Sequence, residues 1–418
     1  PTETSFGLAL TRQFDAAVQE AVEADVAGAV AGVWVEGEGA WTAAKGLADL
    51  ETGEPMEKIG EERSRKLAYR PGEYFWMEYV RPKYAAKGHP EEGVAQAPMP
   101  AAALPGSRFD ESFLASVVVD KCAYHMPLYR QEERMRCEGL QVSRQTLSRL
   151  YIDTAEALRP LYDATKAHLL DSDILFTDDT HVDLQEKGRG RTKTGRMWVY
   201  IRGGPGPPIR VFEFTPDRRK VHPKEFLGPW RGYLHADAYA GYADLFELDG
   251  MYECACWAHV RRKFFEAEDG PPEVRQAILH AIRRLFRYNR WSVRRAKLMA
   301  ERDGDPEGGR RLILDIRREK IAPLIDYIFD RCAQAVAHRE VLPKSAFAKA
   351  IGYLQGRGDA LRTFLGNADL HPDNGVSERA IRALAIGRKN WLFAGSLRGG
   401  EATSILLTLI QNCRALDI

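Results

Sequence analysis

No apolar run in this 418-residue chain approaches the ~18 residues that a membrane-spanning helix needs. The longest, Val26 to Val35, is interrupted by Gly and Ala, so a span is not expected. The sequence opens on Pro1-Thr2-Glu3, without a basic-plus-apolar leader, and a secreted destination is not expected either. Cysteine is scarce: six residues without framework spacing fit a reducing compartment rather than a disulfide-stapled domain. These absences together predict a cytoplasmic protein. Net charge is nearly absent as well, at +1, so the global balance does not by itself announce a polyanionic partner. What is present is ordinary globular composition, 44% hydrophobic and 28% charged, which excludes disorder, collagen and a coiled-coil rod. At ~150 residues per domain the length suggests two or three domains.

The charge is unevenly placed. Lys187 to Lys224 holds eleven Lys or Arg against two acids, and Arg261 to Lys297 holds eleven against four. Such patches are either the footprint of a polyanion or solvated faces. Residues 1–57 read as a helix from Phe14 to Ala24 followed by a β-like stretch, Ala31 to Trp41, and a polar turn region. Residues 58–105 are polar, basic and Pro-rich, a linker by composition. From 106 to 170 the period is helical. Inside it, Gly139-Leu-Gln-Val-Ser-Arg-Gln-Thr-Leu-Ser-Arg-Leu150 has helix-turn-helix form: Gly139 serves the turn, Ser143 can cap, and Arg144, Gln145 and Ser148 are placed to face a groove. A plain helical pair has the same pattern.

At Asp173 the period becomes strand-like. Ile174–Thr177, Met197–Ile201, Ile209–Phe214, Tyr233–Asp237 and Met251–Trp257 read as strands, with short helices before and after the fourth. This predicts a mixed α/β layer over 171–270. Long basic and apolar helices follow over 271–370, and 371–418 completes the chain. Asp178 is expected at the end of the first strand and Asp237 at the end of the fourth. Glu378 is expected early in a helix that Asn374 or Ser377 could cap. Carboxylates on neighbouring strands ~4.8 Å apart can share divalent cations, although caps and solvated acids occupy the same positions.

Several runs in series resemble the IS66-family insertion-sequence transposases over roughly residues 58–418. They are Arg81-Pro-Lys-Tyr84, Pro127-Leu-Tyr-Arg-Gln131, Gly190-Arg-Thr-Lys-Thr-Gly-Arg-Met-Trp-Val-Tyr200, Ala236-Asp-Ala-Tyr-Ala-Gly-Tyr242 and Cys256-Trp-Ala-His-Val-Arg-Arg-Lys-Phe-Phe265. Leu342-Pro-Lys-Ser345, Asp373-Asn-Gly-Val-Ser-Glu-Arg-Ala-Ile-Arg382 and Gly387-Arg-Lys-Asn-Trp-Leu-Phe-Ala-Gly-Ser396 complete the series. The resemblance implies a ribonuclease H-like mixed-sheet catalytic core with a helical insertion, preceded by a helical DNA-binding region. It implies a DDE triad of Asp178, Asp237 and Glu378 holding Mg²⁺ or Mn²⁺ for DNA strand cleavage and strand transfer. The family usually has Asp-Glu-Thr-Pro at the first motif, where this chain has Asp178-Asp-Thr-His181. A Cys-x-x-Cys knuckle common after Arg-Pro-Lys-Tyr is replaced by Ala86 and His89, so zinc is not expected.

Arg191, Lys193 and Arg196, then Arg261, Arg262 and Lys263, then Arg388 and Lys389 are the basic residues expected to grip DNA phosphates or to remain solvated. Cys256 and His259, with Cys254 nearby, are expected to support the site by packing rather than by binding zinc. Trp391 and Phe393 are expected in the core. The partners implied are terminal inverted repeats, target DNA, a second copy of the chain and accessory proteins of the same element. Residues 1–57 resemble instead the opening of a β-lactamase-like serine hydrolase, a possible fusion. Ser64-Arg-Lys-Leu67 does not match that family's Ser-x-x-Lys nucleophile, so no hydrolysis is expected. The rival to an active transposase is a catalytically inactive remnant that only binds DNA.

Overall fold

The computed structural model describes residues 8–23, 28–35, 39–46, 72–85, 94–186, 188, 190–237 and 239–418. The chain forms two compact units, 1–72 and 73–418. In the first, α1 (Leu8–Glu23) accompanies an antiparallel hairpin of β1 (Gly28–Val35) and β2 (Gly39–Gly46). Val18 on the helix and Trp41 on the hairpin are buried, and the Phe14 ring lies 5.1 Å from that of Trp41. The single β-like stretch read from the sequence is therefore two strands.

The second unit opens with a small antiparallel pair, β3 (Lys83–Ala85) and β4 (Val94–Gln96). Ala86 and His89, the altered knuckle positions, lie outside the described residues, as does Ser64–Leu67. Four helices follow: α2 (Glu111–Cys122), α3 (Leu128–Cys137), α4 (Arg144–Ala157) and α5 (Arg159–Leu170). Val117, Met135, Val142 and Leu147 bury a small core among the first three. Gly139 takes φ +82° in the turn between α3 and α4, a conformation that side chains with a Cβ rarely adopt. Ser143 caps α4 by accepting from the Thr146 N–H at 3.2 Å. Ser143→Ala is expected to cost about 1 kcal/mol, read as a lower denaturation midpoint at unchanged slope.

The central sheet is built from β5 (Ile174–Leu184), β6 (Lys193–Arg202), β7 (Arg210–Thr215), then α6 (Val221–Leu227), β8 (Gly232–His235), α7 (Ala243–Phe246) and β9 (Met251–Cys254). Its order is β7-β6-β5-β8-β9, with β7, β6 and β5 antiparallel and β5, β8 and β9 parallel. Then come α8 (Trp257–Glu266), the 31-residue α9 (Pro272–Arg302), α10 (Pro306–Ile316), a π turn at Arg317–Ile321, α11 (Ala322–Ala337) and α12 (Ala346–Gln355). The chain returns through α13 (Gly375–Trp391), the two-residue β10 (Phe393–Ala394) on β5, and α14 (Leu397–Ala415).

The sheet's apolar faces supply the main core, with Trp198, Tyr200, Phe212 and Trp257 fully buried. Edge strand β7 would present unpaired backbone groups, and α14 and α5 cover it. Asn412 accepts from the Arg210 N–H (2.9 Å) and donates to its carbonyl (2.7 Å). Thr408 Oγ1 accepts from the Phe212 N–H, and Tyr162 donates to the Phe212 carbonyl. Of the two aromatics expected inside, Trp391 is partly buried against the core but Phe393 is 41% exposed. Two residues of β10 pairing are too short to cover its ring.

Candidate active site

Asp178 lies in the middle of β5, not at a strand end as the sequence suggested. The local run of apolar residues stops at Phe176, but β6 pairs with β5 from Leu175 through Leu184 and carries the strand on. The strand on the other side is what ends. β8 pairs with β5 only as far as Phe176↔His235, and Asp237 follows two residues later. The departure of β8 opens a gap beside Asp178. There Asp178, Asp179 and Asp237 bring carboxylate oxygens within 4.8 Å of one another. Asp237 is set by its own turn, accepting from the Tyr239 N–H at 3.0 Å. Burial pushes the Asp178 carboxyl up to about 7, against a lowering hydrogen bond from the Asp179 N–H. The charges of Asp237, Asp179 and Glu378 add to the rise.

Asp179 has a different part from its neighbour. Its side chain is 1% exposed and meets two guanidiniums, Arg218 at 2.7 Å and Arg196 at 3.1 Å. Arg218 also stands 3.5 Å from Asp237 and lies over the Tyr239 ring, 4.0 Å from its centroid. One buried carboxylate therefore holds a fixed cation against the open acid. Arg218 and Asp237 line a cleft of about 350 Å³ together with Tyr239, His259, Lys263 and Tyr353.

Glu378 reaches this region from the first turn of α13. Asn374 occupies the N-cap position but does not cap with its side chain. Its amide instead donates to the Thr177 carbonyl at 2.8 Å, and its backbone N–H donates to Cys256 Sγ at 3.3 Å. Ser377 does not cap either; its hydroxyl donates to the Asn374 carbonyl. Asn374 thus ties the start of α13 to β5 beside Asp178 and to the start of α8. The Glu378 carboxylate lies 4.0 Å from His259 Nε2, and Cys256, His259 and Glu378 form a second close group. Burial lowers the His259 pKa, against the raising charge of Glu378. Burial raises the Cys256 thiol to about 11, which keeps it protonated at neutral pH.

The remaining residues expected to bind DNA are scattered. Arg144 and Gln145 are exposed on α4, with the Arg144 N–H bonded to Glu132. Arg191 is exposed in the β5–β6 turn, and Lys193 pairs with Glu186 at 3.7 Å. Arg261, Arg262 and Lys263 are exposed on α8, and Lys263 alone of the three lines the cleft. Arg388 is drawn inward, donating to Thr180 Oγ1 (2.8 Å) and the His181 carbonyl (2.6 Å), while Lys389 is exposed. Arg196 likewise turns to Asp179. The sequence reading missed Arg218, Asp179 and Asn374 as site builders. Arg218 sits in Asp217-Arg-Arg-Lys220, where nothing local marks one arginine out from its neighbours.

A model of the IS66 transposase family matches residues 106–402. Three proteins of Sinorhizobium fredii (strain NBRC 101917 / NGR234), all described as uncharacterized, are similar to most of the chain. Protein y4hP is 32% identical over 387 residues, covering 88% of this chain and 67% of that protein. Protein y4qI is 31% identical over 369 residues, covering 85% and 65%. Protein y4jD is 29% identical over 373 residues, covering 86% and 70%. This chain thus spans about two thirds of the length of these relatives. The hydrolase likeness of residues 1–57 has no counterpart among these matches, and the family match begins well beyond it. With the match running from α2 into α14 and taking in every strand of the central sheet, the chain belongs to the IS66 transposase family.

Proposed function

We propose that this protein is a DDE-type DNA transposase whose metal-binding carboxylates are Asp178, Asp237 and Glu378. The observation that carries the reading is the meeting of Asp178 and Asp237 where β8 leaves β5, with Glu378 near enough for its charge to raise the Asp178 pKa. The strand order, three antiparallel strands continued by two parallel ones with the first acid on the central strand, supports a ribonuclease H-like core. In this reading 171–270 and 371–418 form that core, 271–370 is its insertion, and 106–170 recognises DNA.

The donors suit a hard divalent cation: oxygen only and negative, with the Asp178 carboxyl pushed up to about 7 by burial and by its acidic neighbours. Asp179 is spent on two arginines, which leaves Asp178, Asp237 and Glu378 as the ligands for Mg²⁺ or Mn²⁺. When bound, such ions activate the attacking oxygen and stabilise the leaving one at phosphorus. The chain's own groups do the rest. Asp178 gives up its proton as the site fills. Arg218, fixed by Asp179, and Lys263 present positive charge to a phosphate in the cleft. His259 Nε2 stands 4.0 Å from the Glu378 carboxylate. Water would first cut at the element's end, and the freed 3′-hydroxyl would then attack target DNA by a second in-line displacement.

The test is Mg²⁺-dependent nicking of a duplex that carries the element's terminal repeats, comparing the parent chain with Asp237→Asn. Cleavage at the repeat end is expected from the parent, reduced by about 10³-fold or more in the variant. One observation favours a second reading, a DNA-binding remnant. Glu378 is grouped with Cys256 and His259 and not within ligand distance of the two aspartates. Equal binding without cleavage in both proteins would establish that reading instead.

A further inference from the structure

The cleft accounts for Lys263 and Arg218, but not for the most basic element of the molecule. From Val274 to Ala300, α9 carries eight Lys or Arg and no Asp or Glu. Its buried residues, among them Ile278, Ala281, Leu285, Ser292 and Ala296, fall on one stripe. Arg283, Arg287, Arg290, Arg294 and Lys297 recur at spacings of four, three, four and three on the opposite side, and all are exposed. Over 14 residues that row is about 21 Å long.

A face serving solubility alone mixes signs, as α10 and α11 do with Glu307, Asp315, Asp326 and Asp330 among their bases. Those acids do not neutralise the row. Glu307 faces Arg310, Asp315 faces Arg318, and Asp326 faces Arg362. Lys297 pairs with Glu301 at 3.5 Å, but Arg283, Arg287, Arg290 and Arg294 form no ion pair among the described residues. Each like-charged neighbour three or four residues on costs the helix about 0.2–0.5 kcal/mol. The row therefore works against the fold unless something covers it. Trp291, 53% exposed, stands on its shoulder.

We propose that this face of α9 is a second DNA-binding surface, which tracks the phosphate backbone of a duplex whose reacting end lies in the acidic site. Duplex DNA carries one charge per ≈1.7 Å of axis, so about 21 Å of helix meets about a dozen phosphates, ample for five cations. Contacts of this kind position without reading sequence, so the surface serves element ends and target DNA alike. The inference rests on the transposase reading only for the identity of its ligand.

The experiment compares the full chain with the fourfold variant Arg283→Gln, Arg287→Gln, Arg290→Gln and Arg294→Gln. A control, Arg339→Gln with Lys344→Gln, removes exposed bases elsewhere. Binding to a repeat-end duplex and to an unrelated duplex is titrated against salt in EDTA, which keeps cleavage out of the readout. The fourfold variant is expected to flatten the slope of log K against log salt by about 3–4 on both duplexes. Its melting temperature should be equal to or above the parent's, and the control's slope should match the parent's. An unchanged slope in the fourfold variant, or an equal loss in the control, overturns the inference while leaving the transposase reading intact. If the parent binds neither duplex, the transposase reading falls and takes this one with it.

Discussion

Asp178→Asn is expected to abolish metal-dependent cleavage, by about 10³-fold or more, and at the same time to make the metal-free protein more stable at pH 8. The two effects share a cause. Asp178 is half-buried beside Asp237, Asp179 and Glu378, and desolvation together with their charges pushes its carboxyl up to about 7 from the usual 3.8. The folded state therefore holds a proton that the unfolded state has lost over that interval. The associated stability is fully present below about pH 3.8 and is lost as pH rises through about 7. Above that, the folded protein carries an ionised, partly desolvated carboxylate at a cost of order 4 kcal/mol. Asparagine keeps the shape and removes the charge, so the variant's melting temperature should fall less than the parent's from pH 5 to 8, while buried Glu213, also pushed up to about 7, keeps its own share of the fall in both proteins. Metal loading should show the converse in the parent, with affinity rising towards pH 7 and levelling above it, because the proton must leave first. An Asp178→Asn protein whose metal-free stability follows the same pH profile as the parent's, or one that still cleaves, would remove Asp178 from the site.

The second large effect is expected at Arg317, which lines neither the acidic group nor the cleft. Its guanidinium is 1% exposed and donates to Asn289 on α9, at 3.2 and 3.0 Å. It also donates to the carbonyls of Phe364, Asn367 and Leu370, at 2.5, 2.6 and 2.7 Å. Among the described residues no carboxylate bonds it directly, and burial lowers its pKa to about 10. The arginine closes the π turn between α10 and α11 onto the segment 364–370, which leads into Asn374 and Glu378. Arg317→Ala strands three buried carbonyls and leaves a cavity, so a loss of about 3–5 kcal/mol is expected by chemical denaturation. Arg317→Lys keeps the charge but cannot fork between α9 and the returning segment, and should recover only a minority of the loss. If Arg317→Ala stayed within 1 kcal/mol of the parent, the five hydrogen bonds could not be what fixes the return of the chain to the sheet.

The Arg317 contacts bear on the reach between Asp237 and Glu378, 141 positions apart in the chain. Helical periodicity made the intervening elements legible, and the acidic residues stood out through their motifs. The route by which the third acid comes back was not legible. It depends on Arg317 bonding carbonyls near 364–370 and on Asn374 reaching the Thr177 carbonyl, and neither contact has a local sequence pattern. The capping roles foreseen for Asn374 and Ser377 were the ordinary local choices. Packing against β5 redirected both.

The sequence by itself determined the order of elements, the turn at Gly139, the cap at Ser143 and the amphipathic face of α9. Each follows from side-chain chemistry or periodicity acting over a few residues. Only the tertiary structure decided that Asp178 lies in mid-strand, because β6 extends β5 past the end of its apolar run. The fold likewise turned the buried carboxylate of Asp179, one residue along the strand, to the half-buried Arg196 and Arg218 while Asp178 meets Asp237. Asp179 stays within reach of both other acids, but the arginines that occupy it come from β6 and from the segment after β7. Adjacent identical residues therefore take up different work, and nothing short of the fold could have divided it between them.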